Sequence, residues 1–292
     1  MPDIASRSKL WFAFSLIIIA CGLASFATRG FNFGIDFTGG SILDLKFDSP
    51  VQIATVRDAL RPFGLDNATI QLSGDSADIS ASNSVMIRTV DLEESQRKVI
   101  MSAIRSNVAN FEVLREEKVG ATIGSELISN ALLALLISWA LIIAYIAFRF
   151  EFNFGIAAVL ALIHDILIVL AVFSFTQKQI DSSFVAALLT IVGYSINDTI
   201  VIFDRIRENL KLHFKRSGNL ADIVNRSIAQ TLTRSIYTVC TCLFTTLALY
   251  FFGGDTTRDF AFALTVGFCS GCYSSIFIAG PLWLTLRNLG KK

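Results

Sequence analysis

The residues best placed to do chemistry in this chain are acids set where acids do not belong. In the stretch VGYSINDTIVIFDRIREN, residues 192–209, an apolar run passes into a charged, water-facing helix, and Asp198 falls where its neighbours belong in lipid. An ionisable side chain at the middle of a membrane helix costs roughly 2.5–3.5 kcal/mol on insertion scales, so it is a functional candidate. At helical spacing Thr190, Tyr194 and Asp198 stack on one face, with Ser195 and Asn197 at its margins, and Arg205 continues that face towards the cytoplasm. A carboxylate held between the cost of burial and the pull of a nearby cation can load and release a proton at physiological pH. Gly193 lets a neighbouring helix come close.

Two further polar sites lie in apolar surroundings. Arg234, Thr238, Thr241 and Thr245 recur at steps of three or four, a polar stripe of their own. If the two stripes face each other, Arg234 is the counter-charge of Asp198; otherwise it is an interfacial arginine that sets topology. His164 and Asp165 sit at the middle of another apolar run. Neighbours on a helix point about 100° apart, so the two cannot share one narrow face, and one is expected to hydrogen-bond within a bundle. A structural pair and a proton-relay element both stay open. Gly267 and Gly271 have small-xxx-small spacing, and Ser270 and Ser274 share a face, which close helix packing explains.

These residues need membrane helices to hold them. The chain has 292 residues, 53% hydrophobic and only 17% charged, with a mean hydropathy of +0.59. That is too apolar for a soluble domain of this length. A spanning helix needs about 20 mostly apolar residues, and six runs qualify: 10–28, 127–148, 154–175, 184–203, 236–252 and 260–283. The first outlasts a secretion signal and reads as an uncleaved anchor. A net charge of +1, without a basic cluster interleaved with aromatics, gives no nucleic-acid surface. Cys21, Cys240, Cys242, Cys269 and Cys272 all lie in apolar runs, where small packing residues are expected, with no disulfide and no metal.

Charge orients the spans. With the N-terminus inside, the inner segments carry Arg7, Lys9, Arg149, Arg205, Arg207, Lys211, Lys215, Arg216, Arg226, Arg234, Arg287, Lys291 and Lys292, against Lys178 and Arg258 outside. Both termini are therefore expected in the cytoplasm. Residues 1–29 form the N-terminal segment and first span, residues 30–123 an outer domain, and residues 124–292 spans two to six. In the outer domain, strands are expected over 42–47, 68–72, 84–90 and 111–115, with helices from Pro50 to about residue 60 and from Asp91 to about residue 108. That βαββαβ order is ferredoxin-like. A tight inner turn is expected at 150–153. Residues 204–234 form a longer inner loop, in which Leu220, Ile223, Val224, Ile228 and Leu232 predict an amphipathic helix against the membrane's inner face.

Long motifs then resemble one family. Gly34-Ile-Asp36-Phe-Thr-Gly39-Gly40 after span one, His164-Asp165, the run 192–199 with 204–209, and Gln230-Thr-Leu-Thr-Arg234-Ser235 are similar to the SecF family. With SecD, that family belongs to the resistance-nodulation-division superfamily of proton-driven transporters. The resemblance implies an accessory subunit of the bacterial Sec translocon in the inner membrane, with residues 30–123 periplasmic. It would use the proton motive force to promote late steps of preprotein export. SecD is the implied obligate partner, with SecYEG, YajC, YidC, the translocating preprotein and lipid around it. No cofactor is implied beyond protons as the coupling ion. The family's proton-carrying aspartate falls on Asp198 and its functional arginine on Arg234, with Tyr194, Asn197 and Thr199 beside them. Gly34, Asp36, Gly39 and Gly40 suggest either a hinge between span one and the outer domain or a tightly packed turn.

Three rivals are weaker. Asp165 and Asp198 on adjacent spans suggest an intramembrane aspartyl protease, but the Gly-x-Gly-Asp setting is missing, and a dyad requires the two carboxylates within hydrogen-bonding distance. Lipid and drug exporters of this superfamily carry two large outer domains and twelve spans. A passive scaffold would ignore the loss of Asp198.

Overall fold

A computed structural model of the chain describes residues 3–65, 68–73, 82–149, 151–217 and 219–289. Side chains are described throughout these except at 73, 121–123, 143, 147, 149, 213–217 and 255–256. In chain order the elements are α1 (Ser8–Arg29), β1 (Asn32–Phe33), α2 (Ile35–Thr38), β2 (Gly40–Val51) and α3 (Ile53–Leu60). Then come β3 (Thr69–Ser73), β4 (Ser82–Thr89), α4 (Glu94–Asn107), β5 (Phe111–Val119), α5 (Ala121–Arg149), α6 (Phe152–Thr176) and β6 (Gln179–Ile180). The chain closes with α7 (Ser182–Ser217), α8 (Leu220–Phe252), α9 (Asp255–Ser274), a wide π-turn at Ser275–Ala279 and α10 (Gly280–Leu289). Residues 33–131 form one compact unit, and residues 1–32 with 132–292 form the other.

The smaller unit is built on a four-stranded antiparallel sheet in the order β3-β4-β2-β5. Alternation along β2 sends Leu43, Leu45 and Phe47 to one face, where they meet Val85 and Ile87 of β4 and the buried sides of the two helices, Val56, Leu60, Ile100 and Ile104. Each such side chain contributes about 1.5–3 kcal/mol by leaving water. Helix α4 begins with a reciprocal cap, Glu93 with Gln96, as the Asp91–Glu94 stretch leads one to expect.

Pro50 behaves differently from its sequence expectation. It does not open the first helix: β2 runs on to Val51, and α3 starts at Ile53. The ladder with β4 jumps from Lys46 to Val51 and that with β5 ends at Phe47, so Pro50 sits where no ladder needs its missing N–H.

The glycine motif packs tightly within this unit. Gly34 is ordinary extended backbone, whereas Gly39 and Gly40, both just past the short helix α2, have φ of 70° and 134°. A Cβ at Gly40 would also lie 2.4 Å from Thr89 O of the neighbouring strand. Gly40→Ala combines an unfavourable φ with a backbone overlap, and should cost about 3 kcal/mol. The full-length protein's melting midpoint in detergent checks this; an unchanged midpoint would contradict it.

Among the described residues, six helices are long and apolar enough to cross a membrane: Ser8–Arg29, Gly124–Ile146, Phe152–Thr176, Ser182–Leu212, Leu220–Phe252 and Thr257–Leu289. A helix satisfies its own backbone polar groups, which hydrocarbon cannot do. The inner turn expected at 150–153 is shorter than that, since α6 already begins at Phe152 with Glu151 before it, and Phe150 lies outside the described residues. So do Lys291 and Lys292 and the side chains of Arg149, Lys215 and Arg216 from the charge tally.

The predicted surface helix at 220–232 is corrected. It is the first part of the unbroken helix α8, and Ile223, Val224 and Ile228 are buried, not laid on lipid. Val224 and Ile228 join Phe154, Ile206, Ile276 and Trp283 in the bundle's main cluster, where Trp283 stacks on Phe154 at 4.6 Å. An apolar stripe looks the same whether it meets lipid or protein; here α7 and α10 reach far enough to cover it.

Asn225 on the same stretch ties down the N-terminus. Its Oδ1 accepts from Ile4 N (3.0 Å) and Ala5 N (2.8 Å), and its Nδ2 donates to Asp3 Oδ1 at 2.9 Å. Hydrogen bonds from Ser6 and Asn225 hold the Asp3 carboxyl below its usual range. The folded pKa is depressed, so this contribution is present above the usual value and is lost as pH falls through the lowered one. Asn225→Ala would strand two buried amides and should cost about 2 kcal/mol, read as a lower melting midpoint with faster proteolysis near Ser6.

Candidate functional site

Asp198 lies on α7, 6% exposed, between α8 and the wide turn of span six. Ser235 Oγ of α8 donates to its Oδ1 at 2.7 Å. Its Oδ2 is buried and has no hydrogen-bond partner among the described residues. Thr199, next along the helix, is 1% exposed and meets Ser275 Oγ at 2.8 Å. Tyr194, one turn earlier, is half-buried with its ring 4.4 Å from that of Phe268.

Other members of the expected stripe turn outward. Thr190, Gly193 and Asn197 are exposed, and a Cβ at Gly193 would meet nothing within 4 Å. Among the described residues, no helix of this chain makes the close approach expected at Gly193. That contact occurs one face round, where Gly267 and Gly271 of α9 are filled by Ile191 and Ser195 of α7.

Arg234 makes no direct contact with Asp198 among the described residues, although its charge acts on the acid from nearby. It is exposed, and no ion pair joins them among the described residues. Helix α8 presents the next residue, Ser235, to the acid, which turns Arg234 about 100° away. Thr238, Thr241 and Thr245 likewise bond to carbonyls of their own helix. Arg205 binds Glu208 (2.6 Å) and Gln230 (2.8 Å), where Asn209 also reaches Gln230 and Ser227.

His164 and Asp165 form a second buried site, and both take part. His164 Nδ1 lies 3.1 Å from Asp165 Oδ1, and Nε2 lies 2.9 Å from Ser15 Oγ of α1. Asp165 accepts from Ser195 Oγ (2.6 Å), Ser270 Oγ (2.8 Å) and Ser274 Oγ (2.8 Å). Ser270 and Ser274, read in sequence as packing residues, are thus donors to an acid. Their spacing of four places both on one face, which was the available signal; which face met Asp165 was not in the sequence. Both oxygens of this carboxyl are thus used as acceptors. The two acids have separate donors and share no hydrogen bond among the described residues, so the protease dyad is not assembled.

Residues 99–289 match the family described as "Protein export membrane protein SecD/SecF, C-terminal", and residues 24–51 match the "SecD/SecF GG Motif". The chain belongs to the SecD/SecF family. The "Protein translocase subunit SecF" of Acidaminococcus fermentans is 48% identical over 99% of both chains. That of Vibrio alginolyticus is 42% identical over 96% of this chain and 88% of its own. The crystal structure of SecDF, a translocon-associated membrane protein from Thermus thermophilus, superposes with a TM-score of 0.87 at 38% identity. It covers 97% of this chain, which in turn spans only 38% of that SecDF chain. A SecDF structure in a super-membrane-facing form gives a TM-score of 0.72 at the same identity, over 99% of this chain and 39% of that one. Both family motifs lie on residues singled out above: the glycine motif at Gly34–Gly40, and the polar helices carrying Asp165, Asp198 and Arg234.

Proposed function

We propose that this chain is an accessory subunit of the Sec protein translocase, working with SecD in the bacterial inner membrane, and that Asp198 carries protons whose flow promotes late steps of preprotein export. The observation that carries the reading is the state of Asp198: buried, held by one serine, with one oxygen bare and no ion pair among the described residues. A group so weakly committed can exist with or without its proton, unlike Asp165 with its full set of donors. One elementary charge crossing 100 mV is worth about 2.3 kcal/mol, enough over a few protons to bias a two-state element. Arg234, one residue from the serine that holds Asp198, is the cation that compensates the carboxylate once the proton leaves. Tyr194, Asn197 and Thr199 line the approach, and the exposed face of Thr190, Gly193 and Asn197 is where a SecD half would complete the site.

In this reading both termini are cytoplasmic and the smaller unit is a ferredoxin-like periplasmic domain, supported by the charge asymmetry and by the βαββαβ order. SecYEG is the channel served, with YajC and YidC as further neighbours and the emerging preprotein as cargo. The test is export into inside-out vesicles with and without a proton gradient, comparing wild type, Asp198→Asn and Arg234→Met. An equal response of all three to the gradient would remove proton coupling through this pair.

A further inference from the structure

Two consecutive serines of span six face the two buried acids. Ser274 Oγ is committed to Asp165 Oδ2, which Ser195 also reaches, while Ser270 and His164 meet Oδ1. Ser275 Oγ is not committed in the same way. It meets Thr199 Oγ1 at 2.8 Å and reaches the Ser195 carbonyl at a long 3.4 Å, and it lies within reach of the Asp198 carboxyl, whose Oδ2 has no hydrogen-bond partner among the described residues. Both serines are fully buried.

They stand at the head of the wide turn Ser275–Ala279, which interrupts an otherwise regular helix. Pro281 lies just beyond; it has no N–H and crowds the preceding carbonyls, so the ladder there cannot close as an α-helix. Turns of this kind recur at functional sites, where they re-aim side chains inside a helix. Ile276, Ala279 and Trp283, all buried in the main cluster, follow on the same segment.

We propose that Ser275 is the positioning residue through which span six responds to the charge of Asp198; this rests on the proton-carrying reading of that acid. With Asp198 protonated, Ser275 stays on Thr199 and the Ser195 carbonyl. When the proton leaves, Oδ2 becomes an ionic acceptor, and a hydrogen bond to an ion is roughly twice as strong as a neutral one. The Ser275 hydroxyl then transfers from its long bond to the carboxylate. Ser274 cannot follow, being anchored on Asp165, so the movement is absorbed by the wide turn and passed to the segment ending at Trp283. The other titratable or charged groups that act on Asp198 are Tyr194 on its own helix, Arg234 on α8 and Cys272 on α9, with Cys240, Cys242 and Cys269 in turn beside Tyr194 and Cys272.

The test measures backbone hydrogen exchange of residues 275–284 in acidic and alkaline buffer, on the full chain with SecD in lipid nanodiscs, together with gradient-driven export. Wild type should show exchange that differs between the buffers, and Asp198→Asn should abolish both that difference and the export response. Ser275→Ala should also abolish the difference and lower gradient-stimulated export about tenfold, equivalent to about 1.4 kcal/mol; Ser275→Thr should retain both. If Ser275→Ala keeps the buffer-dependent exchange and the export response, the role of Ser275 is overturned while that of Asp198 stands. If Asp198→Asn still responds to the gradient, it is the parent reading that fails. Where Ser275→Ala does not assemble, Ser275→Cys, which fills the site with a weak donor, should lose the buffer-dependent difference; a difference kept there also overturns the proposal.

Discussion

Asp198→Asn is expected to lower the gradient-stimulated part of export by about 100-fold or more, the scale on which a lost proton-transfer group is felt. Asparagine matches the acid in size and still accepts from Ser235, which now holds Oδ1 at 2.7 Å. It cannot carry a proton. The melting midpoint and the gradient-independent export should therefore stay at wild-type values, separating lost coupling from lost folding. A variant that exports normally under a gradient would leave this carboxyl with a packing role only.

Asp165→Ala is expected to act on the fold. Three serine hydroxyls and the His164 ring converge on this carboxylate, itself 1% exposed, from α6, α7 and α9. Removing the acceptor strands them in a setting with no water to replace it, at a cost of about 3–5 kcal/mol, as for other broken buried charge networks. Asp165→Asn keeps one acceptor oxygen and lets the hydroxyls turn, so about 1–2 kcal/mol is expected. Melting midpoints of the two variants in detergent should rank in that order below wild type. The same Asp165→Asn protein decides between the two readings of the pair. A normal gradient response makes it structural; a lost response with an intact fold makes it a proton station.

The architecture was largely legible because each membrane helix is specified locally, by about 20 residues of one character. The runs at 154–175 and 184–203 fall inside α6 and α7, and the strand at 84–90 overlaps β4 within two residues. Pro50 was misplaced because its tolerance depends on where the β2 ladders stop, a property of β4 and β5. The stretch 220–232 was misplaced for a similar reason: a stripe of Ile and Val states that it must be covered, never by what.

The site divides the same way. Sequence alone determined that Asp198, Asp165 and His164 stand in apolar helices, since the penalty for an ionisable group in lipid follows from composition and position along one helix. The tertiary structure decided their partners. Ser235 and not Arg234 holds Asp198, and Ser270 and Ser274 hold Asp165 instead of merely easing helix contact. A helix presents a new direction every 100°, so rotating a neighbour by one residue exchanges a cation for a hydroxyl while leaving every sequence pattern unchanged.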